Sequence, residues 1–155
     1  MKPLTVIGIG NRLRGDDAAG PMVIDGLMEL NDPQVELIDA GSDAIGLLEY
    51  LNDRNRVWIV DACSMAKSPG EVVKFRPDQV DMLLKNDLQN LHGLGLAEAL
   101  KMATELKMLP KELMIFGIQP QALEFNSAVS SSVLTAIERL VHEIHNEIQE
   151  VGDNS

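Results

Sequence analysis

The chain has 155 residues, 45% of them hydrophobic, and 24 acidic against 13 basic side chains for a formal net charge of −11. That length suits one domain over residues 1–155, with 151–155 a frayed tail, and that charge excludes the basic surface that nucleic acid or an anionic membrane requires. No apolar run is long enough to span a bilayer, one cysteine makes no internal disulfide, and no leader pattern precedes the first apolar run, so the expectation is a cytoplasmic monomer.

Leu4–Ile9 is a continuous apolar run with one Thr, the pattern of a strand covered on both faces. It breaks at Gly8 and Gly10 and crosses a short loop to two adjacent carboxylates, Asp16 and Asp17. Met22, Val23, Leu27 and Leu30 then recur at helical spacing from about Asp17, with Pro21 in the first turn, where a missing amide costs little. At this helix start the two acids have a structural use, Asp16 as a cap and Asp17 in the first turn, where the helix dipole favours them. Val35–Ile38 is a second strand, ending in Asp39-Ala40-Gly41-Ser42, and Ser42 caps a helix with Ile45, Leu48 and Leu51 on one side.

Arg56–Ala62 is a third strand with Asp61 at its carboxyl end, and the alternation of strand and helix is that of a sheet wound by right-handed crossovers. Glu71–Phe75 alternates as an edge or antiparallel strand does. A short helix is predicted over Pro77–Leu84, a longer one from Leu96 to about Met108, a last strand over Leu113–Ile118 and a final amphipathic helix from about Ser130 to Glu150. The expected fold is a three-layer α/β sandwich, with a mostly parallel twisted sheet of about five strands and helices on both faces. With only 3% aromatic residues and eight methionines, Met is expected to fill core gaps. His142 and His145 fall mostly off the apolar stripe of the final helix and are expected in solvent.

In open α/β sheets functional groups collect beyond the carboxyl ends of the strands. Asp16 and Asp17 after the first strand, Asp61 after the third, and His92 in the long connection ahead of a helix meet that condition. Carboxylates with one imidazole make an incomplete shell for a divalent transition metal, leaving positions open for another ligand. Structural uses remain: Asp61 can accept backbone amides at its strand end, and His92 can simply neighbour a helix start. A dinucleotide site fits poorly, because Leu13 stands where close helix packing needs Gly or Ala, and two acids would repel a pyrophosphate. A nucleophilic pair of Cys63 with His92 fits poorly too, since neighbouring Asp61 raises a thiol pKa.

Gly8-Ile9-Gly10-Asn11, Asp16-Asp17 with Gly20, Asp39-Ala40-Gly41-Ser42, Val60-Asp61-Ala62, His92 ahead of Leu94 and Leu96, and Phe116-Gly117-Ile118-Gln119-Pro120 occur in one order from residue 4 to about 125. Together they resemble the hydrogenase maturation proteases. The resemblance implies an endopeptidase that removes a C-terminal extension from the nickel-loaded precursor of a NiFe hydrogenase large subunit. It carries the metal-contacting and catalytic roles onto Asp17, Asp61 and His92, leaving Asp16 to cap or to shape the loop. The resemblance further implies that the nickel is supplied by the substrate and that other divalent cations can occupy the site. The resemblance leaves open whether hydrolysis is aspartyl-type or metal-assisted. The alternatives are a non-catalytic, metal-dependent binding module or chaperone of the same assembly and a nucleotide-binding α/β domain.

Overall fold

The computed structural model describes residues 3–85 and 95–153. Strands β1 (Leu4–Gly8), β2 (Val35–Asp39), β3 (Arg56–Ala62), β4 (Val72–Phe75) and β5 (Glu112–Ile118) form one sheet in the order β2, β1, β3, β5, β4. All neighbours are parallel except β4, which runs antiparallel to β5 at the edge, where its alternating sequence suits one exposed face.

Helices α1 (Ala19–Leu30) and α5 (Ser131–Asp153) cover one face of the sheet, and α2 (Ala44–Leu51), α3 (Val80–Leu83) and α4 (Leu96–Glu105) the other. The two-residue period of the strands sends Leu4, Val6, Trp58, Val60 and Phe116 into the α1/α5 core and Ile7, Val57, Ile59 and Ile115 into the opposite one. Burial on both faces is why these strands read as unbroken apolar runs. The three-layer α/β architecture is the expected one. Among the described residues no helix is long and apolar enough to cross a membrane.

Boundaries depart from the periodicity where local chemistry intervenes. The first helix does not begin at Asp17: a 3-10 turn over Gly15–Ala18 comes first, with Asp17 N–H donating to the Arg14 carbonyl at 3.0 Å, and α1 starts at Ala19. Asp43, not Ser42, precedes the first residue of α2. Helix α4 stops at Glu105, short of Met108, because Lys107 takes a left-handed φ of 57°. Helix α5 runs on to Asp153. Met22 and Met108 pack against the cores, while Met28 and Met102 face solvent instead of filling gaps.

Because β2 lies on one side of β1 and β3 on the other, the chain's direction of winding switches between β1 and β3, and a crevice opens beyond their carboxyl ends. Helix α1 is pressed hard against that edge. A Cβ on Gly20 would lie 2.3 Å from the Ile9 carbonyl oxygen and 2.6 Å from that of Val60, and neither backbone atom can swing aside. Gly20→Ala is therefore expected to destabilise the fold by about 2–3 kcal/mol, a fall of roughly 5–10 °C in the unfolding midpoint, measured by thermal melts.

Candidate functional site

Three loops meet at the crevice. Ile9 N–H donates to the Val60 carbonyl at 2.9 Å, Ala40 N–H to the Gly8 carbonyl at 2.9 Å and Gly10 N–H to the Gly41 carbonyl at 2.9 Å, so the segments following β1, β2 and β3 are tied at their bases. Gly10 has φ of 151°, and a Cβ there would fall 1.9 Å from the Asp17 carbonyl oxygen. Only glycine lets the loop fold back this closely over the turn that carries the acids.

The two adjacent acids have opposite environments. Asp16 is wholly buried, and its carboxylate caps neither the 3-10 turn nor α1. It reaches instead across the molecule, accepting Gln121 N–H at 2.8 Å, Ala122 N–H at 2.9 Å, Ser130 N–H at 2.7 Å and the Ser130 hydroxyl at 2.8 Å. Burial by itself would raise its pKa, but these donors outweigh burial and hold it below the usual carboxylate range. Of the two structural uses expected for Asp16, the cap is thus replaced by the shaping of a distant loop.

Asp17 is half-buried and accepts the Asn11 N–H at 2.9 Å. Burial pushes its pKa up, against the opposing pull of that hydrogen bond and of the Arg14 charge. It is no cap either. Asp61, 9% exposed, is pushed well above the carboxylate range by burial first and by the charge of Asp17 second, with the Ala62 N–H pulling the other way. The structure therefore brings Asp17 and Asp61 into each other's field at the switch point, one from the loop after β1 and one from the end of β3. Two desolvated carboxylates within each other's reach attract a proton or a cation.

His92 lies outside the described residues. Among the described residues, no group of three or more His, Cys, Asp or Glu side chains could hold a metal ion. Cys63 is buried on the same side, and burial first, then the charges of Asp61 and Asp17, push its thiol well above its ordinary pKa. It is kept protonated and inert, as its place beside Asp61 predicts. His142 and His145 sit on α5 away from the crevice, His142 exposed and His145 half-buried beside Gln149.

Arg12 and Ser130 belong to the site frame without standing in any of the motifs, and Gln119 stands in a motif that does not announce its bonds. Arg12 grips Asp25 of α1 with both of its terminal nitrogens, at 2.6 and 2.9 Å, and Asp39 at the end of β2 with Nε and Nη2, at 3.2 and 2.9 Å. Nothing in its local sequence announces this. Gln119 accepts Met65 N–H at 2.8 Å and Lys67 N–H at 3.2 Å, pinning the segment after β3 to the end of β5. Its position between a buried strand and Pro120 was the available signal. Ser130, one residue ahead of a long amphipathic helix, carried a similar one.

A family model described as HycI, hydrogenase maturation protease, matches residues 21–147. The hydrogenase 2 maturation protease of Escherichia coli (strain K12) is 29% identical over 152 residues, covering 96% of this chain and 92% of that protein. The hydrogenase expression/formation protein HupD of Thiocapsa roseopersicina is 29% identical over 123 residues; the alignment takes in 78% of this chain and 56% of that longer protein. Among solved structures, the hydrogenase maturating endopeptidase HybD from E. coli superposes with a TM-score of 0.80 at 29% identity, covering 98% of this chain and 94% of that one.

Proposed function

This chain belongs to the hydrogenase maturation protease family, and from that premise we propose that it is a cytoplasmic endopeptidase removing a C-terminal extension from a nickel-loaded hydrogenase large subunit precursor. The observation that carries the reading is the pair of half-buried Asp17 and buried Asp61 at the switch point, where the charge of Asp17 adds to burial in raising the pKa of Asp61. A resident ion would want more donors than these two. An ion already held by the substrate needs only the carboxylates to complete its shell, with His92 as the third contact.

In this reading the nickel arrives as part of the substrate, and its docking onto Asp17 and Asp61 sets the scissile peptide in the crevice. One carboxylate of the pair takes a proton from water as the water oxygen adds to the peptide carbonyl carbon. The C–N bond then breaks and the proton passes to the departing amine. Polarisation of the carbonyl by the substrate's ion is the other contribution to the same step. The elevated pKa of Asp61 suits it to hold the proton between those two events.

Incubating the protein with nickel-loaded and nickel-free precursor, and reading the precursor mass, tests the checkpoint. Shortening of the loaded form alone is expected. Equal cleavage of both would sink it, and nickel-dependent association with no mass change would leave a binding module in place of a protease.

A further inference from the structure

Packing explains Gly8, Gly10 and Gly20 at the crevice. A Cβ on Gly8 would lie 2.5 Å from the Gly20 carbonyl oxygen, and those on Gly10 and Gly20 would meet backbone oxygens at 1.9 and 2.3 Å. Gly41, in the loop after β2, differs: among the described residues no atom lies within 4 Å of where its Cβ would stand. Nor does the backbone alone call for glycine there. Gly41 has φ of 65°, but Ala66 and Lys107 hold φ of 56° and 57°, and Asp53 and Asn126 hold 63° and 62°, each with its side chain in place. The left-handed region costs such residues some stability, and this chain bears that cost at those positions.

What sets Gly41 apart is the room beside it. Its own peptide groups are taken up inside the protein, the N–H donating to Asp39 Oδ1 at 3.0 Å and the carbonyl accepting Gly10 N–H at 2.9 Å. Arg12 holds Asp39 in turn, through Nε at 3.2 Å and Nη2 at 2.9 Å. Gly10 is one Cα step, about 3.8 Å, from Asn11, whose N–H holds Asp17. A half-exposed bare Cα is thus fixed from both sides next to the loop that carries the acid. Glycine at such a place lets the backbone of a ligand come close. The reaction says which ligand: hydrolysis needs the main chain of the precursor, and not its side chains alone, to reach Asp17 and Asp61.

Resting on the maturation-protease reading above, we propose that the precursor's main chain lies against the bare Cα of Gly41 as its scissile bond enters the crevice. A side chain at position 41 takes the room that the substrate backbone needs, while Asp17 and Asp61 meet the ion.

The test compares the full-length wild type with Gly41→Ala, Gly41→Asn and Asp53→Ala, the last at φ of 63° in the turn ahead of β3, at the sheet edge opposite the crevice. The unfolding midpoint, KM and kcat for cleavage of nickel-loaded precursor, and Kd for the same precursor from rapid mixing ahead of cleavage are measured for each. Strain and size rank the two Gly41 variants differently. Alanine is the smaller side chain, but asparagine is better tolerated at positive φ. The midpoint is therefore expected to fall by about 2–8 °C in Gly41→Ala and by less in Gly41→Asn. Kd and KM are expected to rise in the other order, about threefold in Gly41→Ala and about tenfold or more in Gly41→Asn, with kcat within about threefold of wild type. Asp53→Ala lowers the midpoint and leaves Kd and KM alone. Kd values that stay at wild type in both Gly41 variants, or that follow the midpoint with alanine worse than asparagine, would overturn the proposal, because the glycine then serves the turn. If the wild type binds precursor without cutting it, the protease reading fails and the order of the Kd values still decides the contact; if it neither binds nor cuts, both fall.

Discussion

Asp61→Asn is expected to lower processing of nickel-loaded precursor by about 10³-fold or more while raising the unfolding midpoint at neutral pH. The loss follows from the proposed role, since the amide neither takes a proton from water nor completes an ion's shell as a carboxylate does. The gain follows from burial. In the unfolded chain Asp61 titrates near 3.9, and in the folded protein burial and the charge of Asp17 hold its pKa well above that. Folding therefore binds a proton between the two values. The stability contributed by the protonated carboxyl is complete below the unfolded pKa and is lost as pH rises through the folded one. Asparagine has no such loss, so the variant's advantage is absent near pH 4 and grows toward neutrality, to a few degrees if each kcal/mol moves the midpoint by about 2–4 °C. Melts across that interval, run beside the processing assay, check both halves. A variant that still cleaves removes Asp61 from the chemistry, and one that melts lower than wild type at neutral pH contradicts the burial account.

Asp16→Ala carries the largest expected loss of stability. Removing the carboxylate strips the donors of four part-buried hydrogen bonds, from Gln121, Ala122 and Ser130, of their acceptor at once. Losing one partner of such a network costs about 3–5 kcal/mol, a large share of the roughly 5–15 kcal/mol that holds a domain together. The midpoint should fall by roughly 10–15 °C. Asp16→Asn, which keeps one acceptor oxygen and turns an NH2 toward the donors, should fall between wild type and alanine. The pH dependence has the opposite sign to that of Asp61. The folded pKa of Asp16 lies below its unfolded value, so its contribution is present above the unfolded pKa and lost as pH falls through the folded one. The gap between wild type and Asp16→Ala should close in acid. A gap that stays constant with pH would mean that packing, not the charged hydrogen bonds, holds residues 120–130.

Residues 16 and 17 thus carry the same side chain one peptide apart and do different work. The donors around Asp16 favour its ionised form, and the burial of Asp17 opposes ionisation. Under the proposed function, these opposed environments separate a structural acid from a reactive one. Sequence shows the two acids and the glycines that present them, but not the donors that part their roles.

The strands, the helices, their alternation and the switch-point crevice are legible because periodicity, turn residues and the right-handed crossover are local rules. Val57, Ile59 and Ile115 declare a doubly covered sheet by composition alone, and the antiparallel edge at β4 shows in its alternation. Helix starts at Asp17 and Ser42 were misplaced by a residue or two, because a 3-10 turn competes with a cap at energies that local sequence does not separate. The placing of Asp17 and Asp61 together follows from strand order. What the sequence by itself determined is therefore the layered α/β frame and the edge where chemistry gathers. Only the tertiary structure decided that Asp16 binds a segment 114 residues away, that Arg12 joins α1 to β2, and that the charge of Asp17 raises the proton affinity of Asp61. Hydrogen bonding and charge act through space, and the distances they depend on exist only once the chain has closed.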